Sequence, residues 1–243
     1  MNCRNWWSRR REGDRGRFYV SFSRRHRTVP CLPISSHNEI NPMNNKTIDY
    51  YNSNAATFAA GTENADMSEC RGRFLHYLTP GAAILDAGCG SGRDMIAFRD
   101  AGFDVSGFDA SEELCRIAAE KTGIPVKQLF FEELEGEQEY DGIWACASLL
   151  HVARTDLPDV LRRLHKLMRP NGILYASFKY GTGERIKEGR YFCDFTQESC
   201  RSLMEQAGFG VIEIFVTGDV REGRGDEKWV NVIAEKVSGG RFF

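Results

Sequence analysis

Beyond about residue 42 the apolar positions fall into short runs separated by polar stretches of helical length, whereas the residues before it show no sustained apolar period. Tyr50, Tyr51 and Phe58, with Ala55, Ala56, Ala59 and Ala60, predict a short amphipathic helix ending at Gly61, and a second helix follows over residues 65–78. Pro80-Gly81 breaks the chain, and residues 82–86 read as a buried strand feeding a glycine turn. Strand and helix then alternate: helix 93–101, strand 104–108, helix 111–121, strand 126–131, strand 142–147, helix 156–168, strand 173–178 and helix 197–207. Each crossover is long enough to return parallel, so the pattern predicts a doubly wound, Rossmann-like α/β sheet with helices on both faces. Residues 211–217 and 229–234 have only a polar loop between them and should close the sheet as a C-terminal antiparallel hairpin, bringing the strands to seven.

The length of 243 residues with 42% hydrophobic content supports one principal core. Charge divides the chain unevenly. Residues 1–30 hold nine arginines against Glu12 and Asp14, while the whole chain has a net charge of −2, so the remainder is acidic. The expected organisation is a basic, disordered arm over 1–42, one domain over 43–237 and a flexible tail over 238–243. The arm reads as an organelle transit peptide, as a nucleic-acid arm with Trp6 and Trp7 stacking on bases, or, the favoured account, as translated sequence upstream of a start at Met43. A signal peptide lacks its apolar segment here. No run of about 18 apolar residues exists, so no membrane span and a soluble protein are expected. The eight cysteines are scattered singly, as reduced thiols of a cytoplasmic protein would be, and neither they nor the five histidines are spaced as metal ligands.

The most informative stretch is Asp86-Ala87-Gly88-Cys89-Gly90-Ser91-Gly92-Arg93-Asp94, where the first strand turns into a helix. Glycines allow close backbone approach, and a helix N-terminus offers unpaired N–H groups. Asp109 ends the second strand, where a carboxylate can accept both hydroxyls of a ribose, so a nucleoside-bearing cofactor is expected. The dinucleotide pattern G-x-G-x-x-G would need glycine at Arg93, and the negative charge of Asp86 suits a cationic partner better than a pyrophosphate.

These residues resemble the class I S-adenosylmethionine-dependent methyltransferases over roughly residues 48–236. The family's acidic-x-Gly-x-Gly-x-Gly motif matches Asp86, Gly88, Gly90 and Gly92, with Cys89 inside it, and implies a cradle for the methionine part of S-adenosyl-L-methionine. Its acid after the second strand matches Asp109 and implies ribose binding. The closing hairpin fits the same family, and Pro170-Asn171-Gly172 resembles its Pro-Gly-Gly turn, with Asn171 in a position that tolerates left-handed backbone. Where relatives place an acid beside the adenine, this chain has Phe131-Glu132-Glu133, so Glu132 and Glu133 are the candidates and Phe131 the packing residue.

Acceptor candidates lie in the loops after the later strands, where ligands of doubly wound sheets gather. His151 is a candidate general base or a histidine that orients its loop. The Asn/Asp-Pro-Pro-aromatic motif of enzymes that methylate exocyclic amines is absent at that place. Lys179, Arg190, Arg221 and Arg224 form either an anion pocket or a set of solvated loop charges, with Tyr180, Asp194 and Asp219 as further contacts. Tyr50, Tyr51 and Phe58 serve as a lid that excludes water or as ordinary helix-packing aromatics. The expected function is methyl transfer to a small-molecule acceptor, since the acidic core repels nucleic acid and leaves no room for an inserted recognition domain. The alternatives are a protein or RNA methyltransferase using the arm, a cofactor-binding module without catalysis, and an NAD(P)-dependent oxidoreductase.

Overall fold

The computed structural model describes residues 42–221 and 223–237. The expected arm over 1–42 and tail over 238–243 lie outside them, except for Pro42, which is helical. α1 (Pro42–Glu63) opens on a proline, whose missing N–H costs nothing in a first turn, and α2 (Ser68–Leu75) follows. The alternating segment comprises β1 (Ala83–Ala87), α3 (Arg93–Asp100), β2 (Asp104–Asp109), α4 (Glu112–Thr122), β3 (Val126–Gln128), β4 (Tyr140–Ala145), α5 (Leu157–Leu167) and β5 (Met168–Lys179). β6 (Gly183–Lys187), β7 (Arg190–Asp194), α6 (Gln197–Gln206), β8 (Phe209–Gly218) and β9 (Lys228–Lys236) complete it.

The seven-stranded sheet has the order β3-β2-β1-β4-β5-β9-β8. β1 to β5 pair in parallel; β8 and β9 pair antiparallel, as the polar loop between the last two apolar runs predicts, and β9 seats between β5 and β8. Strand order reverses between β1 and β4, which places a crevice beyond their carboxyl ends. Helix ends follow local chemistry. The Ser111 hydroxyl accepts the Leu114 N–H at 3.2 Å to cap α4, and Gly123 ends that helix at φ +70°. One face of the sheet packs on α5 through Leu157, Val160, Leu161, Leu164 and Leu167, all buried. The other packs around Trp144 stacked on Tyr175 at 3.8 Å, with Phe74 and Phe98 against them.

Two differences from the sequence pattern matter. The run at 126–131 is strand only to Gln128 and then turns as a short 3-10 helix over Phe131–Glu133. A second, two-stranded sheet, β6 with β7, stands outside the main one; its alternating residues flank the two-residue Glu188-Gly189 turn, with φ of +54° and +79°. Asn171 does adopt the left-handed conformation, at φ +61°. The six described cysteines are unpaired, and no helix among the described residues is long and apolar enough to cross a membrane.

Gly92 has φ +83°, and a Cβ there would lie 2.7 Å from Thr122 Cγ2 and 3.3 Å from the Ala118 Cα of α4. Gly92→Ala should therefore lower stability by about 1–3 kcal/mol, seen as a lower urea midpoint.

Candidate functional site

A cavity of about 830 Å³ opens at the crevice. One side is built by the ends of β1, β2 and β4. The other is built by α1, the β6–β7 hairpin and the loop after β8.

On the first side Asp86 ends β1 buried, and its Oδ2 has no hydrogen-bond partner among the described residues. Burial, with Asp94 nearby, pushes its pKa well above the usual carboxylate range. Asp94, also buried, has the opposite environment. Against the upward pull of burial, Arg93 and Arg71 hold its pKa below the ordinary value, at 2.6 Å and 2.7 Å, and the Trp144 indole donates to it at 3.0 Å. Asp109 ends β2 with one oxygen accepting from the Gly90 N–H and the other from the Ser111 N–H, each at 2.9 Å; burial raises its pKa. Ala110 adds a third backbone bond, and a remaining lone pair is open to a ligand.

The glycines divide by role. Gly88, at φ +80°, has no space for a side chain because a Cβ would come within 2.4 Å of Ser148 Cβ, where the loop after β4 presses on the glycine turn. The Ser148 hydroxyl donates to the Ala87 carbonyl at 2.6 Å across that contact. Gly90 lines the cavity under Phe58, 3.4 Å from its would-be Cβ. Gly92 is the departure: it faces α4, so it serves helix packing and not the cavity. Cys89 lines the cavity, and burial raises its thiol pKa well above ordinary, which keeps it an unreactive packing residue. Phe131 packs edge-on to Phe108 at 5.2 Å and lines the cavity with Glu132. Glu133 does not; it turns back to accept the Phe130 N–H at 2.9 Å and caps its own short turn.

On the second side, Tyr51 and Phe58 of α1 face the cavity and pack edge-to-face at 5.1 Å. Tyr50 does not line it and instead lies 4.2 Å under the Arg190 guanidinium. His151 Nδ1 is 2.7 Å from the Tyr191 carbonyl, which can only accept, so Nδ1 carries the proton and Nε2 accepts the Tyr51 O–H at 2.8 Å. Burial lowers the His151 pKa to about 4. Its basic nitrogen is thus occupied and weak, so the orienting role expected for His151 fits better than the general-base role. Tyr51 has its own pKa raised by burial, with Arg190 pulling the other way.

The four loop cations do not converge. Lys179 is buried, pairs with Asp219 at 2.9 Å and with Glu227, and lies 4.0 Å over the Trp229 ring. Arg221 grips the same Asp219 through Nε and Nη2, at 2.9 Å and 2.6 Å. Despite burial, these bonds push the Asp219 pKa far down. Lys179, Arg221 and Asp219 therefore form an internal charge cluster of the cavity wall. Asp194, expected as an acceptor contact, pairs with Arg185 at 2.6 Å and does not line the cavity. Tyr180, 48% exposed, stands at the rim with Arg224. Arg190 remains: buried and lining the cavity, it holds the exposed Glu188 through Nη2 at 2.5 Å and hydrogen-bonds Tyr51, and its Nε has no partner among the described residues.

Sequence reasoning missed the β6–β7 hairpin, which supplies Arg185, Lys187 and Phe192 to the wall. The available signal was the alternation on either side of Glu188-Gly189. It missed Ser148 because the contact with Gly88 joins residues 60 positions apart.

Residues 60–214 match a family model described as a methyltransferase domain. The chain is 31% identical over 107 residues, 40% of it and 43% of the relative, to a putative methyltransferase YqeM of Bacillus subtilis. It is 30% identical over 149 residues, 57% of it and 56% of the relative, to the malonyl-[acyl-carrier protein] O-methyltransferase of Pectobacterium atrosepticum. It thus spans about half the length of these curated relatives. The fold is shared with the 1,6-didemethyltoxoflavin-N1-methyltransferase of Burkholderia thailandensis, solved with S-adenosylhomocysteine: TM-score 0.67 at 22% identity, covering 81% of this chain and 88% of that one.

The neutral His151 sets a pH dependence. The folded pKa near 4 lies below the unfolded value of 6.5, so the unfolded chain binds the proton more readily. This contribution to stability is complete above about pH 6.5 and is lost as pH falls towards 4. Urea midpoints of the wild type should fall more steeply over that window than those of His151→Gln.

Proposed function

The chain belongs to the methyltransferase-domain family, in the class I S-adenosylmethionine-dependent group, and we propose that it transfers a methyl group from S-adenosyl-L-methionine to a small-molecule acceptor. The observation that carries this reading is the orphaned Oδ2 of Asp86 in the wall of a cavity that also presents Asp109. The Met95 N–H serves the Asp86 carboxyl, and the buried oxygen left over costs free energy that a ligand's ammonium group would offset. The residues fit the cofactor in kind as well. Asp86 would accept from the methionyl ammonium, the Gly88-Cys89-Gly90 backbone would lie against the methionyl chain, and Asp109 would accept the ribose hydroxyls. Phe131 and Glu132 would flank the adenine.

S-adenosyl-L-methionine, when bound, supplies a methyl group already activated by its sulfonium charge. The protein's task is then alignment and the exclusion of water, without a covalent nucleophile. α1 performs the second part, closing the cavity with Tyr51 and Phe58. Tyr51, fixed by His151, and Tyr180 at the rim would contact the acceptor. At about 830 Å³ the cavity is at the upper end of the usual range for one small ligand, which agrees with a cofactor and a second molecule held together. The relatives from Pectobacterium and Burkholderia are named for transfer to an acyl-carrier-bound malonyl group and to a toxoflavin precursor, respectively. A small acceptor accords with the second of these and with the acidic charge of the chain beyond its first thirty residues. A cytoplasmic setting belongs to the same proposal, on the single, unpaired cysteines.

Calorimetry with S-adenosylhomocysteine tests the cofactor site: binding is expected in the wild type, and Asp109→Ala should weaken it by about 1–3 kcal/mol through lost charge-assisted hydrogen bonds. Asp86→Asn should weaken it as well. Incubation with methyl-labelled cofactor and a metabolite extract should label a small molecule, and the absence of both binding and labelling would refute the proposal.

A further inference from the structure

Resting on the methyltransferase reading, we infer that the acceptor is an organic acid with a flat or apolar body, and that Arg190 anchors its carboxylate. The inference starts from how this chain uses its other arginines. Arg185 holds Asp194 through Nε and Nη2, at 2.6 Å and 3.2 Å, and Arg221 holds Asp219 through the same two nitrogens. Those two N–H groups point the same way and match the two oxygens of a carboxylate. Arg190 has the same edge half filled. Its Nη2 donates to Glu188, while Nε, buried, has no partner among the described residues.

Burial makes that vacancy costly. The Arg190 side chain is 8% exposed, and an unmet buried donor is expected to find an acceptor. The guanidinium faces are already covered: Tyr50 lies 4.2 Å from it, Phe192 5.4 Å and Tyr51 6.0 Å. What the group can still offer is its edge. Glu188 is a weak occupant, because it sits in the two-residue hairpin turn with its side chain 55% exposed and uses one bond where a carboxylate of suitable position would use two. It keeps the edge neutral until an acid from the cavity displaces it.

Of the cavity's other cations, Lys179 and Arg221 are consumed by Asp219 and Glu227, Arg185 by Asp194 and Arg93 by Asp94, while Lys187, Arg224 and Lys228 are not buried and meet water instead. Arg190 also adjoins Tyr51, so an acid held there would lie along the aromatic wall that faces the glycine turn.

The test measures binding of benzoate and 3-phenylpropionate against benzamide and 3-phenylpropanamide by saturation-transfer NMR, on the full chain with and without S-adenosylhomocysteine. The acids should bind at least tenfold more tightly than their amides. Arg190→Gln should remove that preference, and Arg190→Lys, which keeps the charge but not the fork, should not restore it. Glu188→Gln should tighten the acids several-fold by removing the internal competitor. Equal binding of acids and amides, no binding of either, an unaffected Arg190→Gln or a weakened Glu188→Gln would each overturn the inference. Calorimetry keeps the two readings apart: loss of carboxylate preference with normal S-adenosylhomocysteine binding removes the acid anchor alone, whereas failure to bind S-adenosylhomocysteine removes the methyltransferase reading.

Discussion

A carboxylate taken out of water must meet a cation or a set of donors, and the architecture of this protein is organised around how each buried acid meets that demand. Asp94 has Arg71, Arg93 and the Trp144 indole; together they tie α2, α3 and β4 beneath the glycine turn. Asp219 has Lys179, Arg221 and the Trp229 indole, which fix the loop after β8 to the end of β5. Asp109 has the backbone N–H groups of Gly90, Ser111 and Ala110. Asp86 is the exception, and its unmet oxygen lies beside the cavity. The internal ion pairs are thus a background against which one unsatisfied acid and one half-satisfied arginine, on opposite sides of the same space, stand out.

The two sides were unequally legible in the sequence. Asp86, Gly88, Gly90 and Asp109 lie at strand ends within 24 residues of one another, so periodicity and glycine spacing place them without knowledge of distant contacts. Seven strands and the antiparallel pairing of the last two were readable for the same reason, each being a local run with a characteristic connection, whereas the seating of β9 beside β5 was not. Gly92 looked like its neighbours in the motif, yet what demands glycine there is a methyl group on α4, thirty residues away. Lys179, Arg190 and Arg221 looked equivalent as loop cations. Only folding brings Asp219 to Lys179 across 40 positions and leaves Arg190 with one buried N–H unmet. His151 was visible as a histidine, but its tautomer depends on a carbonyl 40 residues on and a hydroxyl 100 residues back.

This difference in legibility reflects a difference in construction. The proposed cofactor side is made of backbone at the ends of parallel strands, where register is enforced by burial on both faces. The proposed acceptor side is made of side chains on a helix and a two-stranded hairpin outside the main sheet, joined by few bonds. The Tyr191 N–H donates to the Thr47 hydroxyl at 3.1 Å, and Tyr51 to His151 at 2.8 Å. The first arrangement is fixed by the sheet, while the second lets the wall change without disturbing it.

Coupling between the sides follows from α1. The same helix places Phe58 over Gly90, lends Asn52 to the Ser111 hydroxyl at 2.6 Å beside Asp109, and presents Tyr50 and Tyr51 to the hairpin. A ligand seated against the glycine turn therefore touches the helix that also forms the acceptor wall. The seal over the cavity and the shape of the acceptor pocket are then set by one element, which is why residues as far apart in sequence as Tyr51 and Arg190 act on the same space.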